Sequence, residues 1–127
     1  MVVLIIVFIA FGFYAILKFI DLQKTIQIQS FLTDFQNNVN DMWKSPGGST
    51  AYTYSLPTEI TSVCFSDDPN ENLKFTSNKI IHGKEIDNLN IANITAVENP
   101  YCIDNVNGKV SLTLAKDFGE TLVKVIR

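Results

Sequence analysis

Few side chains in this sequence have the chemistry of a catalyst. There is one histidine, His82, beside Gly83, and there are two cysteines, Cys64 and Cys102. Two thiols and one imidazole at these separations do not match a zinc site. Cys64 with His82 could form a thiolate and its base, but nothing in the sequence orients the pair. No phosphate-binding glycine loop, zinc-protease helix or nucleophile elbow occurs. The acidic run Asp67-Asp68-Pro69-Asn70-Glu71-Asn72 offers oxygen ligands without EF-hand spacing, so it reads as a solvated turn. The sequence therefore predicts a protein that is not an enzyme and that holds no metal or cofactor. Asn93-Ile94-Thr95 is the one Asn-x-Ser/Thr triplet, which makes Asn93 a glycosylation candidate and an N-glycan the only added group the sequence suggests.

The elements around these residues follow from hydropathy. Met1 to Leu17 carries no charged side chain, and Lys18 is followed by Phe19-Ile20. A helix of this length spans a bilayer, and one that is apolar all round must be buried in lipid or in protein. Val2, Leu4, Ile5, Ile6, Phe8, Ile9, Phe11, Phe13, Ile16, Leu17, Phe19 and Ile20 are the side chains to be covered. No basic residue precedes the run and no small-x-small site follows it, which weighs against a cleaved signal peptide. Residues 1–20 are thus expected to be a transmembrane or otherwise buried helix.

From residue 21 the pattern turns amphipathic. Ile28, Leu32, Phe35, Val39 and Met42 fall on one helical stripe, with glutamines, asparagines and aspartates on the other faces. No proline or glycine lies between Phe13 and Ser45, so one continuous helix is predicted, ending at Ser45-Pro46-Gly47-Gly48. Residues 21–45 form its amphipathic part.

Residues 46–127 read as β-rich. The strand candidates are Ala51–Leu56, Glu59–Ser66, Asn72–Thr76, Lys79–His82, Leu89–Ile94, Tyr101–Val106, Lys109–Ala115 and Thr121–Arg127. Val110, Leu112 and Leu114 alternate with polar neighbours, as in a half-buried strand. Asn107-Gly108 between two such runs predicts a hairpin. One long helix followed by short strands implies an α+β fold, with the helix packed on an antiparallel sheet. Cys64 and Cys102 lie on separate strands. Buried free thiols are one reading. In an oxidising compartment a disulfide is the other, closing a loop of about 39 residues and stabilising by ~4 kcal/mol in the chain-entropy model.

Charge narrows the partners. With 10 basic and 13 acidic residues the chain has net charge −3, and no basic patch suits nucleic acid.

The layout resembles archaeal type IV pilins: an immediate apolar helix, a polar-striped extension and a β-rich C-terminal domain. Tyr54-Ser55-Leu56-Pro57 leading to Val63-Cys64-Phe65, and Glu98-Asn99-Pro100-Tyr101-Cys102 leading to Asn107-Gly108-Lys109-Val110, resemble small archaeal proteins with one N-terminal membrane segment. Ile5 stands where many bacterial pilins carry glutamate. The resemblance implies a structural subunit of an extracellular filament. It would be membrane-inserted before assembly, polymerise with itself through residues 1–20 into a helical homopolymer, and expose its β-domain for cell adhesion. The alternative is a membrane-anchored extracytoplasmic accessory domain of a surface or secretion system. The sequence names no surface ligand.

Overall fold

The computed structural model describes residues 2–79 and 81–127; for Val2, Leu4 and residues 13–22 it describes the backbone alone. Helix α1 runs over Val2–Lys44, 43 residues. Its last turn is closed from several directions. Ser45 donates through both its backbone N–H and its hydroxyl to the Met42 carbonyl, at 3.1 and 2.7 Å. The buried Lys116 ammonium donates to the carbonyls of Trp43 and Ser45, both at 2.7 Å. A cation at the carbonyl end of a helix satisfies otherwise orphaned acceptors and complements the helix dipole.

Six strands follow: β1 (Gly48–Ser55), β2 (Ile60–Phe65), β3 (Leu73–Ser77), β4 (Tyr101–Asp104), β5 (Lys109–Lys116) and β6 (Lys124–Ile126), with a short helix α2 (Ile91–Ile94) before β4. They form two three-stranded antiparallel sheets, ordered β1-β5-β6 and β3-β2-β4.

The fold is α+β, but the expected class, a long hydrophobic and amphipathic helix packed on an antiparallel sheet domain in a pilin-like manner, needs correction. The sheet is divided in two. The helical stretch that builds the core is the 22-residue amphipathic part up to Lys44, not a long apolar one. The division originates at the Asn-Gly turn. Asn107 and Gly108 both have positive φ (53° and 82°), and Val106 pairs with Lys109 across the turn. Beyond that bridge the flanking strands part. The Asn105 side chain donates to the carbonyls of Pro57 and Ile60, at 3.1 and 2.8 Å, and its backbone N–H to that of Thr61. These bonds bring β4 onto β2, while β5 pairs with β1.

Two strand expectations also fail. The region from Lys79 to His82 contributes no strand among its described residues. Ile91–Ile94 is one helical turn, because the Asn90 side chain accepts the Asn93 N–H and so caps a helix start.

The transmembrane expectation for residues 1–20 is corrected as well. Among the described residues no helix is long and apolar enough to cross a membrane. Of the residues that expectation covers, Met1 and the side chains of Val2, Leu4 and residues 13–20 lie outside those described.

The core lies where α1 meets both sheets. Phe31, Leu32, Phe35, Val39 and Met42 are buried, at the 3–4 residue spacing of one helical face. Phe35 is completely enclosed and joins the sheets: its ring lies 5.9 Å from Tyr54 on β1 and 5.7 Å from Phe65 on β2. Phe31 meets Tyr54 edge-on at 5.1 Å and Phe75 of β3 at 5.9 Å. The polar flank of α1 clamps a loop. Gln36 exchanges two hydrogen bonds with the Asp87 backbone, and Asn40 accepts from the Asn88 amide.

Candidate functional site

Two parts of α1 behave differently toward solvent. From Phe31 to Met42 one face is buried against the sheets. In the N-terminal part no described side chain is covered. Val3, Ile5, Ile6, Val7, Phe8, Ile9 and Phe11 are all exposed, from 49% for Val7 to 74% for Phe8. At about 100° of rotation per residue, these positions point to every side of the helix. The run is therefore apolar all round with nothing against it, which is unlike the stripe of a helix lying on a domain. The remaining residues expected to be covered, Val2, Leu4, Phe13, Ile16, Leu17, Phe19 and Ile20, lie outside those whose side chains are described.

A groove of about 420 Å³ opens between α1 and the segment around Lys79–His82. Glu59 lies in it, with its carboxylate 3.4 Å from the Lys24 ammonium and 3.7 Å from that of Lys79. The carboxylate is thus shared by two cations. His82 is exposed on the groove's rim. The other half of the imagined Cys64–His82 pair is engaged elsewhere. Cys64 and Cys102 sit directly opposite each other on β2 and β4 and are joined as a disulfide. Neither sulfur is then a nucleophile.

The acidic loop bonds mainly to itself and to its neighbours. Asp68 accepts from the Asn70 N–H and pairs with Lys74 at 3.0 Å. These contacts, the backbone hydrogen bond first, hold its carboxyl below the usual range. Glu71 accepts the Gly83 N–H. Buried Asn72 exchanges two hydrogen bonds with the Ile86 backbone, at 2.9 and 2.7 Å. Among the described residues no group of three histidine, cysteine or acidic side chains is placed to hold a metal ion.

Asn93, the glycosylation candidate, is exposed on α2. The Thr95 hydroxyl donates to the Ile91 carbonyl at 2.7 Å, so the triplet is folded into a helical turn. Sequence reading missed two features. Lys116 falls on the inward face by alternation with Val110, Leu112 and Leu114, and it is buried there as a helix cap; its charge argues against burial, and only its nearness to the stop at Ser45, which is tertiary, accounts for it. The open edge of β1 was legible in one respect, since Gly48–Ser55 contains neither charge nor proline.

Comparison with family models, with curated proteins and with solved structures returns no match. No pilin fold is shown, and among the described residues no helix is long and apolar enough to cross a membrane, which corrects the pilin-like fold and the transmembrane helix expected from the sequence. What the fold and site define is a disulfide-stapled α+β domain bearing an uncovered apolar helical extension.

Proposed function

We propose that the chain is a non-catalytic assembly subunit. Copies join through the apolar N-terminal stretch of α1, and the two-sheet domain is displayed outside that junction. The observation that carries this reading is the run from Val3 to Phe11, in which seven large apolar side chains are at least about half exposed on all sides of one helix. Uncovered apolar area of this extent marks an interaction surface. Burying each such side chain is worth ~1.5–3 kcal/mol, so the run supplies on the order of 10–20 kcal/mol. That offsets a substantial part of the ~4–15 kcal/mol lost on association.

The stretch between Met1 and Phe11 carries no ionisable side chain. A charged partner therefore finds nothing to pair with, whereas an identical helix is chemically matched. The Cys64–Cys102 disulfide is compatible with an extracellular location, where the displayed domain faces solvent.

Sedimentation velocity of the full chain tests this. The native protein is expected to sediment as large species whose size grows with concentration. A Phe8→Asp, Phe11→Asp double variant should run as a monomer with an unchanged circular dichroism melt of the domain. A native chain that stays monomeric at every concentration, or a double variant that assembles like the native one, contradicts the reading.

A further inference from the structure

A second surface, independent of the helical stretch, is the outer edge of β1. Strand edges present unpaired N–H and C=O groups, and folded proteins normally shorten, cover or charge them. Three of the four edges here are treated in this way. β6 has three residues, and just ahead of it Val123 exchanges hydrogen bonds with Asn88 and Asn90. On β3, Leu73 exchanges two bonds with Lys84. On β4, the Arg127 guanidinium donates to the Cys102 carbonyl at 3.0 Å. The β1 edge is eight residues long. Among the described residues none of its backbone groups bonds to anything but β5. It carries no charge, no proline and no bulge.

The register shows which groups are presented. Leu56 N–H donates to the Gly108 carbonyl, whereas Lys109, opposite Ser55, turns both its backbone groups toward Val106. Alternation along an antiparallel pair then directs the backbone groups of Gly48, Thr50, Tyr52 and Tyr54 to β5. Those of Ser49, Ala51, Thr53 and Ser55 point outward, and all four residues are exposed.

We infer that β1 is a docking edge for β1 of a second copy, paired antiparallel about a two-fold axis at Tyr52. In that register Ser49 faces Ser55 of the second copy and Ala51 faces Thr53. Every outward-pointing residue then exchanges a pair of hydrogen bonds, and shifting the axis by one residue in either direction leaves some unpaired. The side chains at the hydrogen-bonded pairs, Ser49, Ala51, Thr53 and Ser55, are small, and those between them, Thr50, Tyr52 and Tyr54, are uncharged like them, so no like charges of the two strands oppose each other, as they would if the edge carried a lysine. Such an isologous contact closes on itself. It fuses two three-stranded sheets into one continuous sheet.

Tyr52 would face its own copy at a non-hydrogen-bonded position, where Cα atoms lie ~4.5 Å apart, within disulfide reach. The test is a Tyr52→Cys full chain held in nonionic detergent, which masks the apolar helical stretch. Mild oxidation should produce a covalent dimer on a non-reducing gel, and the exposed control Ala92→Cys should not. Adding Thr53→Pro removes an outward N–H and no backbone bond to β5, losing besides only the exposed hydroxyl contact with Ser111 at 3.2 Å; it should abolish the crosslink, whereas Thr53→Val, which loses the same hydroxyl contact and keeps the N–H, should retain it. Adding Phe8→Asp should leave the crosslink intact, which separates this contact from helical assembly. The amides of Ser49, Ala51, Thr53 and Ser55 should exchange slowly with deuterium in the native chain. Crosslinking no better than the control overturns the proposal. So does slow exchange at those amides without a Tyr52→Cys dimer, which assigns the edge to a different occupant.

Discussion

Replacing Phe35 by alanine should disconnect the two sheets. The side chain has no solvent exposure and lies 5.7–5.9 Å from the rings of Phe31, Tyr54 and Phe65. Deleting a buried phenylalanine ring costs ~3–5 kcal/mol in lost transfer energy and residual cavity. The aromatic pairings it takes part in are worth ~0.5–1.5 kcal/mol each beyond area. The value should fall at the upper end of the range, because rings from α1, β1 and β2 are held by separate backbones and cannot all collapse into the gap. For a domain of this size each kcal/mol moves the midpoint by ~4–8 °C, so a fall of about 15–30 °C is expected. The assay is thermal unfolding of the full chain in nonionic detergent, followed by near-ultraviolet circular dichroism. Thr33→Ala, an exposed change on the same helix, should stay within ~0.5 kcal/mol of the native protein. A fall under about 5 °C would refute the role given to Phe35. So would two separate transitions in the native chain, since they would mean the sheets do not share one core.

Three further outcomes follow from named contacts. Burial pushes the Tyr54 hydroxyl up to about 12, partly opposed by the hydrogen bond from Asn38. The folded state therefore keeps this proton when the unfolded state has lost it, and stability falls as pH rises from ~10 toward 12. Tyr54→Phe should remove that part of the alkaline loss, measured as the difference between urea midpoints at pH 8 and pH 11. Reducing the Cys64–Cys102 bond should lower unfolding stability by up to ~4 kcal/mol, and a Cys64→Ala, Cys102→Ala variant should be insensitive to reductant in the same titration. Lys116→Met should cost ~1–3 kcal/mol by stranding the carbonyls of Trp43 and Ser45, seen as a lower melting midpoint with loss of helical signal.

The parts of the fold legible in the sequence are those that obey a local period. The spacing of Leu32, Phe35, Val39 and Met42 announces a helix face, and Val110, Leu112 and Leu114 announce a strand, because each pattern is set by backbone geometry alone. Asn107-Gly108 is equally plain as a turn, since both residues tolerate positive φ. Which strands the turn would pair was not legible. That depends on Asn105 reaching Pro57 and Ile60, 48 and 45 residues away in sequence. Leu89–Ile94 has an apolar alternation compatible with a strand, and the capping side chain of Asn90 decides instead for a helical turn. Of the candidate site, the apolar character of Val3 to Phe11 is written in the sequence. Its separation from the domain is not, because exposure is a property of what does not fold back onto it.

The central claim is that this stretch is covered by its own kind. The most direct measurement replaces Phe8 with a photoreactive phenylalanine analogue in the full chain, irradiates the assembled protein and maps the adducts by mass spectrometry. The account predicts intermolecular adducts between copies, confined to the first turns of α1. Adducts only to solvent, or only to residues of the β-rich domain, would contradict it.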